Sequence, residues 1–222
     1  MKEFEYEPIE GLPELLPAGE YILWQGQPDW KVMARRVFHA RAAAFYFAAL
    51  VVVRGLVAAS EGATLGGAVL ASLSLVPVGV VLVAVLVGLA YWNARTTIYT
   101  ITNRRVVLRY GIALTMAVNL PFKQVKSALF KPDKSGAGEI PLEMAGTGNL
   151  AFLHLWPHTR PWKYNPTQPM MRCVPEGKKV AELLGDALRE AHDQQTAAAA
   201  SSVESESSER STPNPMAGFA SA

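Results

Sequence analysis

Apolar residues follow two patterns along the chain: they form long continuous runs before residue 92 and alternate with polar residues after it. Residues 42–59 form an apolar run that only Arg54 interrupts, and residues 62–92 contain no charged side chain. A helix that crosses a bilayer needs roughly 20 consecutive apolar residues. A soluble protein would have to bury both runs in its core. The pattern therefore predicts a transmembrane helical hairpin over residues 42–92.

The second apolar stretch is longer than one membrane helix and shorter than two. We place its helix at Leu70–Trp92 and assign the glycine-rich residues 62–67 to the turn. Pro77 would kink this helix, which membrane helices tolerate when neighbouring groups satisfy the freed carbonyl. Two helices in residues 62–92 would make three spans and place the C-terminal domain in the periplasm.

Basic residues at the two ends of the hairpin predict its orientation. The connection between the helices contains Glu61 and no lysine or arginine. The flanking basic residues are Lys31, Arg35, Arg36 and Arg41 before the hairpin and Arg95, Arg104 and Arg105 after it. Cytoplasmic loops of membrane proteins carry an excess of lysine and arginine. We therefore expect a multi-pass protein of the bacterial cytoplasmic membrane with both termini in the cytoplasm.

Residues 1–41 are predicted to form a cytoplasmic N-terminal segment. Its first 30 residues are acidic, whereas a secretory signal peptide begins with basic residues, so we expect no cleavable leader. Within residues 29–41, one helical face collects Trp30, Met33, Val37 and Phe38. This segment either lies in the headgroup region as an amphipathic helix or extends the first membrane helix into water.

After Trp92 the apolar positions alternate, as in β-strands. The predicted strands are Thr96–Thr102, Arg105–Tyr110, Ile112–Leu120, Phe122–Phe130, Gly138–Met144, Gly148–Leu155 and Met170–Val174. Their regular spacing favours an antiparallel β-barrel or sandwich. From Pro175 to residue 192, apolar residues recur at intervals of three and four, which predicts a helix that caps the sheet. We place this domain at residues 95–192 and predict that residues 193–222 form a disordered tail.

Composition excludes several classes of function. The formal net charge of +2 is too small for a nucleic-acid-binding protein. The one cysteine, Cys173, leaves no internal disulfide. Because the sequence contains no phosphate-binding loop, nucleophile elbow or paired-carboxylate motif, we expect neither an enzyme nor a cofactor.

The histidines are considered as metal or pigment ligands and then set aside. His154 and His158 have a spacing that would suit metal ligands on a helix. They lie on either side of Pro157 in a strand-to-loop region, so we assign them structural roles. His39 is a weak candidate for the magnesium of a chlorophyll because it lies at the interface rather than in mid-membrane.

Arg54 is the most informative charge, because a charged residue inside a span is costly and indicates function. It either reaches the periplasmic headgroups, with Glu61 two turns away, or pairs with an acidic or carbonyl group on a partner helix. The spacings Gly62-x-x-x-Gly66 and Ala84-x-x-x-Gly88 permit close helix packing and allow for a homodimer.

Residues 155–169 (LWPHTRPWKYNPTQP) combine aromatic, proline and basic residues in one segment. Exposed tryptophan, tyrosine and arginine are enriched where proteins bind partners. The candidate contact residues in this segment are Trp156, His158, Arg160 and Trp162. Alternatively, the segment is a cross-over loop that seals one end of the barrel or dips into the membrane surface.

Two sets of motifs resemble known families. Residues 97–107 (TIYTITNRRVV), with Gly111 and Leu120-Pro121-Phe122, resemble the bacterial pleckstrin-homology-like membrane domain. In that family two transmembrane helices precede a cytoplasmic barrel with a C-terminal capping helix. LWQG at 23–26 and LWPHTRPW at 155–162 are similar to a family of photosynthetic complex assembly proteins of purple bacteria.

The second resemblance implies a non-catalytic factor for assembly of the photosynthetic reaction centre and its core light-harvesting complex. Its partners would be reaction-centre and core-antenna subunits and membrane lipids, bound transiently. The alternative function is a general membrane-anchored module that binds lipids or proteins and is unrelated to photosynthesis. An enzyme would need polar groups that converge on a pocket, and the sequence does not indicate such a cluster.

Overall fold

The computed structural model describes residues 9–12, 14–112, 114–145 and 155–210. Along these residues, a short strand is followed by four helices, a set of antiparallel strands and a long helix. The strand and the short helix of the N-terminal segment are β1 (Ile22–Gly26) and α1 (Trp30–Arg36). Asp29 caps α1, because its carboxylate accepts hydrogen bonds from the N–H groups of Lys31 and Val32.

Three further helices form the apolar hairpin. They are α2 (Ala40–Ser60), α3 (Leu65–Leu73) and α4 (Val76–Thr96). Two segments, Ala40–Ser60 and Leu65–Thr96, are long and apolar enough to cross a membrane, and few of their side chains are buried. An added Cβ at Gly55 of α2 would lie 2.3 Å from Ser72 Oγ in α3, and one at Gly79 of α4 would lie 3.0 Å from Phe47 of α2. Both α3 and α4 therefore pack against α2 in an antiparallel direction.

The second apolar segment differs from the predicted helix Leu70–Trp92. Helical structure begins at Leu65 and breaks between α3 and α4, with Pro77 in the first turn of α4. Proline fits there because the first N–H groups of a helix have no intrahelical acceptor. The predicted turn at residues 62–67 is shorter, since α3 already includes Gly66 and Gly67.

One side of α1 packs against the apolar helix α4. Val32 and Met33 are buried against Ala90 and Ala94 of α4 in a small second core. His39 adopts a positive φ of 53° and separates α1 from α2. The prediction that the first membrane helix simply extends into water is therefore wrong. Trp30, Val37 and Phe38 are only partly buried, so the amphipathic lead-in at the headgroup region stays a prediction.

The β domain consists of two antiparallel sheets. Its remaining strands are β2 (Ile98–Thr102), β3 (Arg105–Tyr110), β4 (Met116–Pro121), β5 (Val125–Ala128), β6 (Lys131–Pro132), β7 (Gly138–Met144), β8 (Thr159–Tyr164) and β9 (Thr167–Val174). One sheet has the order β1-β2-β3-β4, and the other has the order β5-β7-β9-β8 with β6 beside β7. Within the described residues no ladder joins the two sheets, so the barrel is not closed. The predicted strand Gly148–Leu155 lies outside the described residues except for Leu155.

β1 and β2 connect the two ends of the hairpin. The first strand precedes the hairpin and the second follows it, yet Gly26 pairs with Tyr99 and Ile22 with Thr102. The Asp29 N–H also donates to the carbonyl of Cys173 in β9 at 2.8 Å. The N-terminal segment and the β domain therefore lie at the same end of the helical hairpin.

The C-terminal helix, α5 (Gly177–Arg210), closes the main core of the domain. Val180, Leu184 and Leu188 pack against buried residues of both sheets, including Ile140 and Leu142. The helix continues beyond the predicted end at residue 192, so the prediction of a disordered tail is wrong for residues 193–210. That prediction considered only the lack of large apolar side chains, whereas the alanines at residues 197–200 favour a helix.

Candidate functional site

Two exposed tryptophans mark the candidate binding surface. Trp156 is 52% exposed and Trp162 is 85% exposed. The Trp156 ring meets the Phe38 ring edge-on at a centroid distance of 5.9 Å, and Phe38 lies two residues before α2 begins. Trp162 belongs to β8, an edge strand of the second sheet. The aromatic surface, defined as Trp156 and Trp162, thus begins beside the entrance of the apolar hairpin.

Arg160 lies between these tryptophans in the sequence and joins β8, which carries Trp162, to β9. Its guanidinium donates a hydrogen bond to Gln168 Oε1 at 3.0 Å, across the turn between β8 and β9. The sequence did not predict β8, because the prolines around Trp162 indicated a loop. An edge strand accepts proline, since one side of its backbone has no neighbouring strand.

His158 lies at the centre of a buried polar cluster between α4 and the two sheets. The Thr97 hydroxyl donates to the carbonyl of Asn93 at 2.7 Å, so its oxygen accepts the Nε2 proton of His158 at 3.2 Å. The Tyr99 hydroxyl donates to His158 Nδ1 at 2.7 Å and accepts the backbone N–H of Arg172 at 3.1 Å. These contacts define a neutral imidazole that carries its proton on Nε2.

Arg172 completes the cluster on its opposite side. Its guanidinium donates to the Pro157 carbonyl at 3.2 Å and to Glu139 Oε1 at 3.1 Å. Pairing with Glu139 compensates a charge that would otherwise be costly to bury. Because Pro157 directly follows Trp156, the cluster fixes the backbone from which Trp156 projects.

Burial shifts the protonation equilibria in this cluster. Burial, together with the positive charge of Arg172, lowers the pKa of His158 to about 3. Burial also raises the pKa of the Tyr99 hydroxyl well above its ordinary value. Near neutral pH both groups are therefore uncharged, as their mutual hydrogen bond requires.

The structure corrects one predicted contact residue. His158 is fully buried, so it acts as a structural residue and does not contact a partner. Among the described residues, no group of three or more histidine, cysteine, aspartate or glutamate side chains could bind a metal. His154 lies outside the described residues.

Arg54 lies in the apolar part of α2 and its side chain is exposed. The ion pairs found in the described residues do not join it to Glu61 or to another acid. A contact of Arg54 with a partner helix stays a prediction.

The sequence reasoning missed Tyr99 and Arg172 as members of the cluster. Arg172 carried a usable signal, because it interrupts the otherwise apolar run MMRCV of β9. An arginine in such a strand is buried only when it has a partner. The identity of that partner, Glu139 on β7, depends on strand pairing that composition does not specify.

Comparison with known proteins agrees with this architecture. The chain matches the bacterial PH domain family over residues 46–188. A relative from Rhodobacter capsulatus, named "Uncharacterized 23.7 kDa protein in puhA 5'region", is 40% identical over 187 residues, which cover 83% of this chain and 87% of the relative. No solved structure matches the chain.

The chain belongs to the bacterial PH domain family, and the matched residues run from within α2 to within α5. The family match and the relative also agree with the resemblance to the photosynthetic complex assembly protein PuhB of purple bacteria.

Proposed function

We propose that this protein is a non-catalytic, membrane-anchored assembly factor for the photosynthetic reaction centre and its core light-harvesting complex. The hairpin crosses the bacterial cytoplasmic membrane twice, and both termini and the β domain lie in the cytoplasm. The protein binds membrane subunits transiently through the aromatic surface. Its own residues supply contacts rather than chemistry.

The pairing of β1 with β2 supports two crossings rather than three. A hydrogen-bonded ladder requires both strands in one compartment, so the chain between Gly26 and Ile98 must cross the membrane an even number of times. The hairpin also exposes large apolar side chains, such as Leu70 at 71% and Val80 at 61%, which suit lipid better than water. The basic flanks of the hairpin favour the cytoplasmic side for the β domain.

The position of Trp156 is the observation that carries the proposed function. It is exposed and contacts Phe38 at the entrance of the hairpin. The hydrogen bond from Arg172 to the Pro157 carbonyl holds the backbone next to it in place. A rigidly held, exposed tryptophan at this level can meet the cytoplasmic end of a membrane subunit. The relative's name places it in the puhA 5' region, a photosynthesis-related locus, which supports photosynthetic subunits as the partners.

Transient binding sets a condition on affinity. An assembly factor must bind the incomplete complex more tightly than the finished one, because equal affinity would leave it attached to the product. A small contact centred on one or two tryptophans fits this requirement, since few residues dominate the energy of such interfaces.

The test is the double variant Trp156→Ala with Trp162→Ala in cells that grow photosynthetically. We expect a lower yield of reaction centre and core antenna, measured by near-infrared absorbance, while immunoblots show unchanged amounts of the variant protein. Tyr21→Ala is the matched control, because Tyr21 is 57% exposed but lies outside the aromatic surface. Normal complex yield in the double variant would contradict the proposed surface.

Affinity purification separates this proposal from the alternative of a general lipid- or protein-binding module. The tagged chain, crosslinked in photosynthetic cells and purified in mild detergent, should bring reaction-centre or core-antenna subunits in substoichiometric amounts. A crosslinked preparation that contains only lipid would favour the general module.

A further inference from the structure

A basic groove lies where α1 ends, α2 begins and the turn between β6 and β7 approaches both. The groove has a volume of about 540 Å³. Its cationic lining consists of Arg35, Arg36, Arg41 and Lys134. The three arginines come from the junction of α1 and α2, whereas Lys134 comes from the β domain. The fold therefore concentrates positive charge from two separate segments at one place.

Only part of this charge is neutralised within the protein. Arg36 forms an ion pair with Asp133, whose carboxylate also accepts hydrogen bonds from the N–H and hydroxyl groups of Ser135. These hydrogen bonds, and secondarily Arg36, lower the pKa of Asp133. The carboxylate is therefore ionised and already bound by Ser135 and Arg36. Among the described residues Arg35, Arg41 and Lys134 form no ion pair. Three exposed cations thus face the groove without a counter-charge.

The beginning of α2 adds to this positive potential. His39 precedes the helix without a side-chain cap, and the first intrahelical bond there runs from the Ala43 N–H to the His39 carbonyl. The preceding N–H groups, including those of Arg41 and Ala42 in the groove lining, therefore have no intrahelical acceptor. Uncapped N–H groups at the positive end of a long helix attract anions, and here they reinforce the arginines.

The lining changes from basic to apolar in the direction of the membrane. Ala42 and Phe45 complete the groove along α2, and Phe45 is 70% exposed one turn inside the apolar helix. A ligand with only a phosphate group would leave this apolar side uncovered. A ligand with a phosphate at the basic end and a hydrocarbon chain along α2 would cover both.

We propose that the basic groove binds an anionic phospholipid of the cytoplasmic leaflet, with its phosphate at Arg35, Arg41 and Lys134 and an acyl chain along Phe45. This inference rests on the membrane orientation given in the proposed function. The bound lipid would link α1, α2 and the β6–β7 turn, and so fix the β domain against the membrane surface.

The test uses the full chain, purified in mild detergent and reconstituted in nanodiscs of equal parts phosphatidylglycerol and phosphatidylcholine. Native mass spectrometry after release from the nanodisc then counts the lipids that stay bound. We expect preferential retention of phosphatidylglycerol by the unaltered chain. In the triple variant Arg35→Gln, Arg41→Gln and Lys134→Gln, the preference should fall by about fivefold for each cation removed, which corresponds to about 1 kcal/mol per charge near a membrane surface.

The matched control removes three exposed cations from α5 instead, with Lys178→Gln, Lys179→Gln and Arg189→Gln. Their side chains are 76–80% exposed, and they lie outside the groove lining. The charge-preserving variant Arg35→Lys with Arg41→Lys should retain most of the preference. Equal retention of the two lipids by the unaltered chain, or an equal loss in the triple variant and the α5 control, would overturn the proposal.

Two further controls identify the source of the phosphate and test whether the triple variant is folded. Millimolar inorganic phosphate should leave the bound phosphatidylglycerol in place, and its displacement would assign the groove to a soluble phosphate instead. Cys173 is buried beside α1, so its continued protection from maleimide shows that the triple variant is folded. Because no photosynthetic subunit is present, this result is independent of the Trp156 and Trp162 experiment.

Discussion

The helical hairpin and the β domain place their apolar residues in opposite environments. In the β domain, Leu108 and Leu142 are completely buried. In the hairpin, Leu70 and Leu56 are 71% and 66% exposed. Two parts of one chain with similar aliphatic side chains therefore have opposite surfaces, as the proposed membrane insertion of the hairpin requires.

This difference shows what stabilises each part. The β domain is stabilised because its apolar side chains leave water and pack in a closed core. In the proposed membrane location, hydrocarbon gives no such gain to the outward side chains of the hairpin, so its helices depend on satisfied backbone hydrogen bonds and on close contacts such as Gly55 with Ser72. The same substitution should therefore have different consequences in the two regions.

Leu142→Ala is expected to cause the largest loss. Leu142 is fully buried in the main core, and such truncations cost about 2–5 kcal/mol because they leave a cavity. Leu70→Ala is the matched control and should change stability by less than about 0.5 kcal/mol. Unfolding of the purified protein in mild detergent measures both, and equal losses would contradict the assignment of the two environments.

A charged substitution at an exposed position should be more costly in the hairpin than in the β domain, the opposite of the order expected for alanine. Val80→Asp places a carboxylate on an exposed face of α4, and a charge at mid-membrane opposes helix insertion by about 2.5–3.5 kcal/mol. Leu129→Asp adds the same charge to the β domain at a residue that is 48% exposed, where water solvates it. We expect a reduced membrane-inserted fraction for Val80→Asp alone, measured by carbonate extraction. Full insertion of that variant would show that α4 faces an aqueous environment.

Two tyrosines within the β domain separate hydrogen bonding from packing. Tyr99→Phe removes the donor to His158 and the acceptor for the Arg172 N–H, and it should cost about 1–3 kcal/mol because both groups stay buried. Tyr110→Phe should be close to neutral, since the Tyr110 hydroxyl is buried without a hydrogen-bond partner in the described structure. Thermal unfolding followed by near-ultraviolet circular dichroism distinguishes the pair, and similar losses would refute the assigned hydrogen bonds.

Mild acid should destabilise the β domain through His158. Its pKa is about 3 in the folded protein against an ordinary value of 6.5, so below pH 6.5 the unfolded chain takes up a proton that the folded chain excludes. Stability therefore falls with pH, by about 2 kcal/mol between pH 7 and pH 5. His158→Gln should lower the stability at pH 7 but remove most of this pH dependence. A parallel pH profile in the variant would mean that other groups cause the loss.

The regular patterns in the sequence predicted the elements that depend on local periodicity. The apolar hairpin, the strands at Arg105–Tyr110 and Gly138–Met144 and the helix after Pro175 follow from such patterns. Strands β1 and β8 were missed because each is set by its pairing partner. β1 pairs with β2, which follows the hairpin in the sequence. β8 contains a proline that suits only an edge strand.

The candidate site was predictable only where the chemistry is local. Trp156 and Trp162 were identified from an aromatic, proline-rich segment, and both are exposed. His158 lies between them in the sequence but is buried, because Tyr99 and Tyr110 from distant strands pack against its ring. The basic groove likewise combines Arg41 with Lys134, which are remote in the sequence.

Labelling of cysteines introduced one at a time tests the central claim that both ends of the hairpin lie on the cytoplasmic side. The reporters are Glu14→Cys, Ala63→Cys and Lys178→Cys, all at exposed positions, and native Cys173 is buried and stays unlabelled. A membrane-impermeant maleimide should label only Ala63→Cys in spheroplasts and only Glu14→Cys and Lys178→Cys in inverted vesicles. Labelling of Glu14→Cys and Lys178→Cys from opposite sides would contradict the account, because β1 and β2 could then not form one sheet.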